Sequence, residues 1–199
     1  MYVVAGPNGA GKSTLTRGAR AQFGVDAIDA DAIQREMDST SAEAWREGLR
    51  RCHAAIAARR TFLIETTLAG SDPSRPSTYL ELMRYVKSVG YRVDLTFIAL
   101  ENADAHVARV ADRLAAGLHG IPEGRIRERY ERSMERAVEA LDFVDHAVLV
   151  DNSSASQAFR LVAEFNQGRR VALIDDIPNW AAAMLSRFAL RIRTEESDP

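Results

Sequence analysis

The chain has 199 residues, with 26 Lys and Arg against 28 Asp and Glu and a formal net charge of −2. Hydrophobic residues make up 46% and charged residues 27%, a composition that suits a buried core and excludes a largely disordered chain. The near-neutral charge argues against a dedicated nucleic-acid binder, which is basic as a rule. The single cysteine, Cys52, excludes an internal disulfide and suits a reducing cytoplasm.

Tyr2 to Ala5 reads as a short buried strand. Gly6-Pro7-Asn8-Gly9-Ala10-Gly11-Lys12-Ser13-Thr14 follows it and fits G-x-x-x-x-G-K-[ST]. Leu15 to Gln22 then reads as a helix. Strand, glycine loop and helix give the motif its required context. Glycines let successive N–H groups point inward as an anion nest, and the helix N-terminus adds partial positive charge. Lys12 would reach the β- and γ-phosphates of ATP, and Ser13 would ligate Mg²⁺. With the loop starting at Gly6 there is no room for a cleaved signal peptide. No apolar run approaches the roughly 20 residues of a membrane helix. The expectation is a cytoplasmic protein without a membrane span.

Val25 to Asp29 reads as a second strand, ending in Asp29-Ala30-Asp31, with a helix from about Ala32. Two carboxylates at a strand's C-terminal end face the crevice where open α/β sheets bind ligands. Asp29 and Asp31 are thus a catalytic, substrate or metal pair; Asp31 also suits a helix N-cap, and both roles can hold together. A helix to about Arg60 carries Trp45, Leu49, Cys52 and Ile56 on one face, expected to pack inward. Thr61 to Glu65 reads as a third strand closed by Thr66-Thr67. A carboxylate ending a buried strand needs a partner, so Glu65 is expected to meet a cation, a Mg²⁺-bound water or a substrate hydroxyl. The plainer reading is an arginine or helix-terminus partner. Thr66 and Thr67 share its edge and join it as substrate-binding candidates.

Thr78-x-x-Glu81 has the form of a capping box for a helix that stops at Gly90. A fourth strand lies within Tyr91 to Leu100, and Asn102 can cap the next helix. That helix carries Arg109 and Arg113 one turn apart. A break at Gly117-Leu118-His119-Gly120-Ile121-Pro122 separates it from a second arginine-rich helix, with Arg125, Arg127, Arg129, Arg132 and Arg136. Two such helices, over about 109–130, read as a lid whose arginines could stabilise the charge of a phosphoryl-transfer transition state. For most of these arginines, pairing with neighbouring glutamates is the simpler reading. His119 suits a substrate contact or a loop hydrogen bond better than a metal site, since no second ligand lies at metal spacing. Ala147 to Val150 reads as a fifth strand ending at Asp151-Asn152-Ser153, with Asn152 a candidate for the nucleotide pocket. Gln157 to Phe165 reads as a helix ended by Gly168, Val171 to Ile174 as a possible sixth strand, and Pro178 as the opening of a last helix. Residues 1–193 are expected to form one domain, with 194–199 frayed. The fold class is α/β: a three-layer α/β/α P-loop NTPase of small-kinase type, with a mostly parallel sheet of five or six strands.

No LSGGQ-like signature and no Asn-Lys-x-Asp motif is present, which sets aside transporter-type ATPases and GTPases. The chain resembles the zeta toxin family of P-loop kinases. The likeness rests on Gly6 to Thr14, Ile28 to Asp31, Ile64-Glu65-Thr66-Thr67-Leu68, Arg109 to Pro122, Arg125 to Tyr130 and Asp151-Asn152-Ser153. It covers roughly the first 155 residues. The resemblance implies ATP- and Mg²⁺-dependent phosphorylation of a UDP-N-acetyl amino sugar at its 3′-hydroxyl, with an antitoxin protein as partner. By position it makes Asp31 the catalytic base, Lys12 and Ser13 the phosphate and Mg²⁺ residues, Glu65 a substrate acid, and Arg109 and Arg113 the lid arginines. Two other readings stay open: a P-loop kinase for another acceptor, such as a nucleoside or antibiotic sugar, and a non-catalytic ATP-gated binding module.

Overall fold

A computed structural model describes residues 1–70, 77–115 and 121–195. The elements in order are β1 (Tyr2–Ala5), α1 (Lys12–Phe23), β2 (Asp26–Asp29), α2 (Ala30–Met37), α3 (Ser41–Ala57), β3 (Phe62–Thr66) and α4 (Thr78–Ser88). They continue with β4 (Asp94–Ala99), α5 (Ala103–Ala115), α6 (Glu123–Leu141), β5 (His146–Asp151), β6 (Arg160–Asn166), β7 (Arg169–Leu173) and α7 (Asn179–Glu195). The remainder of the tail, 196–199, lies outside the described residues.

One sheet runs β2-β3-β1-β4-β5-β6-β7. β1 to β5 pair in parallel, while β6 and β7 return antiparallel. This is the three-layer α/β fold of P-loop kinases, with seven strands rather than five or six. The extra strand corrects the helix expected over Gln157 to Phe165. Gln167 and Gly168 both take positive φ, 48° and 73°, which is the backbone of a two-residue hairpin turn. The glycine that looked like a helix stop therefore joins β6 to β7. Val162, Ala163 and Phe165 are buried on the β6 side of that turn.

The parallel strands are apolar on both faces because helices cover both. Val3, Phe62, Ile64, Leu95, Phe97 and Leu149 join the larger core with residues of α3, α4, α6 and α7. Val4, Leu63, Ile98 and Val150 pack on the opposite face beneath Leu15 and Ala19 of α1. Two local expectations are corrected. Thr78 is the first residue of α4, whose N-cap is Ser77 with no side-chain cap, whereas a capping box forms between Thr40 and Glu43 at α3. The inward face of α3 is Ala44, Gly48, Cys52, Ala55 and Ile56, with Gly48 close to Ile28 and Ile33. Small residues let α3 approach β2 and α2, so Trp45 is turned outward, 39% exposed. Among the described residues no helix is long and apolar enough to cross a membrane.

Candidate active site

The glycine loop connects β1 to α1 and crosses the C-terminal ends of the parallel strands. Gly6, Gly9 and Gly11 all take positive φ, at 145°, 80° and 98°. A Cβ on Gly6 would land on the Ile98 carbonyl, and one on Gly11 would lie 2.5 Å from Asn152 Nδ2. Both positions thus demand glycine through conformation and space together. Lys12 is buried, and its Nζ donates to the Gly6 and Pro7 carbonyls, each at 2.9 Å. Burial lowers its pKa, opposed by the nearby charges of Glu65, Asp31 and Asp29.

The carboxylates predicted at the strand ends meet here. β2 and β3 are adjacent and place Asp29 opposite Glu65 in register. Glu65 Oε1 accepts from Ser13 Oγ at 2.8 Å, while its buried Oε2 makes no hydrogen bond of good geometry among the described residues, with the Thr16 hydroxyl close enough to help hold the carboxyl pKa down. Burial raises the Glu65 pKa, with Lys12 acting against the rise. Asp29, rather than Asp31, is the N-cap of α2: its Oδ1 accepts from the Asp31 amide at 3.0 Å. Its pKa is raised by burial and by neighbouring Asp31. The Asp31 side chain is left free of the capping duty and sits exposed at the cleft.

A cleft of about 1160 Å³ opens over these groups. Asn8, Gly9, Gly11, Lys12, Ser13 and Thr14 form its floor, with Asp29, Asp31, Glu65, Thr66 and Thr67 along one side. Gly6 and Ala10 lie behind that floor, buried. Thr66 Oγ1 accepts from the Leu68 amide at 3.0 Å, and the Thr67 carbonyl accepts from Ser133 Oγ at 2.6 Å. Arg109, Arg113, Arg125 and Arg129 bring positive charge from α5 and α6. Arg109 Nη2 donates to the Asn152 carbonyl at 2.9 Å, and Asn152 Nδ2 donates to the Ala10 carbonyl at 2.9 Å. Arg129 Nη1 reaches Asn8 Oδ1 at 3.5 Å, and burial with Arg125 and Arg132 nearby lowers its pKa. His119 lies outside the described residues.

The predicted loop residues, acids, Arg109, Arg113 and Asn152 thus converge. Sequence reasoning passed over three groups. Phe159 borders the cleft beside Gly11, within the stretch misread as helix. Trp45, Tyr79 and Arg35 also line the cleft, although helical spacing suggests a core role for Trp45. His106 is wholly buried against the loop; its place one turn before Arg109 was the available signal.

The Zeta toxin family pattern matches residues 1–164. An uncharacterized protein of Haemophilus influenzae is 30% identical over 134 residues, covering 63% of this chain and 88% of its own length. A chain from the PezAT chromosomal toxin–antitoxin system of Streptococcus pneumoniae superposes with a TM-score of 0.55 at 15% identity, covering 98% of this chain and 86% of that one. A chain of the Pnkp1/Rnl/Hen1 RNA repair complex gives 0.54 at 19% identity, over 69% and 45% of the respective chains. The two superpositions show a shared fold. With the family pattern spanning the loop, the acids and both arginine helices, this chain belongs to the Zeta toxin family.

Proposed function

We propose that the protein is an ATP-dependent kinase that phosphorylates a hydroxyl of a UDP-N-acetyl amino sugar or related sugar nucleotide. The observation that carries the reading is the meeting of a phosphate loop, the carboxylates of Asp29, Asp31 and Glu65, and the arginines of α5 and α6 in one cleft. Family membership and the P-loop kinase fold support a kinase-type activity. The sugar nucleotide is the acceptor implied by the family resemblance. The exposed Trp45 face and Arg35 on the acceptor wall would suit a ring and an anionic group.

The residues fit Mg²⁺-ATP. Three positive-φ glycines, free loop amides and buried Lys12 suit a polyphosphate. Ser13 Oγ and Glu65 Oε2 would hold Mg²⁺ or its water. When bound, Mg²⁺ supplies charge neutralisation at the β- and γ-phosphates. Asp31 would accept the proton of the acceptor hydroxyl as its oxygen attacks Pγ. The new O–P bond forms as the bond from Pγ to the bridging oxygen of ADP breaks. Lys12, Arg113 and Arg129 would offset the charge on the transferring group. Arg109, expected from the resemblance as a lid arginine, holds the Asn152 carbonyl instead and would serve the nucleotide base rather than the transferring group. Helices α5 and α6 would act as the lid. An antitoxin protein is the partner this reading expects, and cytoplasm the compartment. The PezAT relative supports the former and the buried free thiol of Cys52 suits the latter.

ADP release tests the reading, with Mg²⁺-ATP and a panel of UDP-sugars, nucleosides and antibiotic sugars. Acceptor-dependent turnover with UDP-N-acetylglucosamine is expected. Asp31→Asn should retain ATP binding and lose about 10² to 10⁴ in turnover. Turnover with another acceptor would discard the sugar nucleotide. Unchanged turnover in Asp31→Asn would remove Asp31 as the base.

A further inference from the structure

His106 is a titratable group that the transfer chemistry does not use. It lies in the first turn of α5, wholly buried, with its ring 5.3 Å from that of Tyr130. Its Nε2 accepts from the Leu100 amide, at the end of β4, at 3.1 Å. The proton must then sit on Nδ1, which meets the Asn8 carbonyl at 2.7 Å. One turn further along α5, Arg109 holds the Asn152 carbonyl, and Asn152 holds the Ala10 carbonyl. The contacts close a ring. It leaves the loop at Asn8, passes through α5 and the end of β5, and returns to the loop at Ala10.

The trans, planar peptide gives that ring a consequence. In each peptide unit the C=O and the following N–H point in opposite directions. Holding the Asn8 carbonyl outward turns the Gly9 N–H inward. Holding the Ala10 carbonyl outward does the same for the Gly11 N–H. Among the described residues neither amide has a protein acceptor. The α5 backbone also presses on the loop here: a Cβ on Gly9 would lie 3.1 Å from the His106 carbonyl oxygen. We propose that His106 is a positioning residue for nucleotide, a neutral imidazole that aims the loop amides at the polyphosphate and fixes α5, with Arg109, onto the loop. Burial, with Lys12 and Arg109 nearby, keeps the ring neutral by lowering its pKa to about 4.

This inference rests on the loop being the nucleotide site. The test compares His106→Leu, which has no polar atom, with His106→Asn, whose amide can still donate toward Asn8. Mg²⁺-ADP affinity is measured by calorimetry, and KM for ATP and acceptor by turnover. His106→Leu should weaken ADP binding about tenfold or more, His106→Asn should recover most of it, and the acceptor KM should not move. Wild-type affinity in His106→Leu would overturn the proposal, as would a folded His106→Asn as weak as His106→Leu. If His106→Leu does not fold, nitrogen NMR of the wild-type imidazole decides. A proton on Nδ1 whose resonance shifts on adding ADP supports the proposal; a proton on Nε2, or no shift, overturns it. A wild-type protein that fails to bind ADP would sink the nucleotide reading and this one together. Affinity that does not depend on His106 would sink this one alone.

Discussion

Replacing His106 by Asn should remove an acid-sensitive step in folding stability. The imidazole is wholly buried in the folded chain, and its pKa is lowered from 6.5 to about 4. A base with a depressed folded pKa takes up its proton first in the unfolded state. Its contribution is therefore fully present above about pH 6.5 and is lost as pH falls toward 4. Across the whole window that difference corresponds to about 3 kcal/mol, and roughly 2 kcal/mol of it falls between about pH 7 and pH 5. Several acids add their own pH dependence. The raised Asp29 and Glu65 favour the folded state on acidification, and the lowered Asp145 and Glu139 disfavour it. Both proteins keep these groups, so the difference between them isolates His106. Urea unfolding at about pH 7, 6 and 5 reads it directly. Wild type should lose about 2 kcal/mol more than His106→Asn over that range. Parallel losses in the two proteins would refute a neutral imidazole held by two hydrogen bonds.

Glu65→Gln keeps an acceptor for Ser13 Oγ but removes the charge beside Lys12. The Mg²⁺ concentration for half-maximal turnover should rise about 10- to 100-fold, the scale for groups that support a metal ligand. An unmoved Mg²⁺ titration would place Glu65 with the acceptor instead. Arg129→Ala should lower kcat by about 10² or more with ADP affinity retained, because its guanidinium lies at the mouth of the loop. Arg109→Ala should mainly raise the KM for ATP, since Arg109 braces Asn152, which in turn holds the loop at Ala10. The opposite pattern in steady-state kinetics would exchange the two roles.

The glycine-loop half of the cleft was legible because its chemistry is local. A glycine loop needs its glycines at fixed offsets, and Gly6 and Gly11 each fail with a Cβ for reasons visible in one motif. The acids were legible as strand endings, since a parallel sheet brings such ends together without further information. What escaped depends on relations between distant segments. His106 matters because α5 crosses the loop 98 residues earlier in the chain. Gln157 to Phe165 was misread because Gly168 ends a helix and turns a hairpin with equal ease, and the pairing of β6 with β5 decides between them. Trp45 was misplaced by one position of helical phase, where small residues at 44, 48 and 52 set the packed face.

The same contrast explains why the sequence points to ATP more firmly than to an acceptor. On the nucleotide side, the carbonyls of Gly6, Pro7, Asn8 and Ala10 are all engaged, by Lys12, His106 and Asn152. The loop is already shaped, and a phosphate need only draw Lys12 Nζ from two carbonyls. That preorganisation lowers the ordering cost of binding. On the acceptor side, Asp31, Arg35 and Trp45 stand exposed on the helices after β2. Side chains on such a wall can change without disturbing the sheet or the loop. On the proposed reading, acceptor choice would rest on a few exposed groups, while nucleotide binding would rest on the backbone that the fold itself requires.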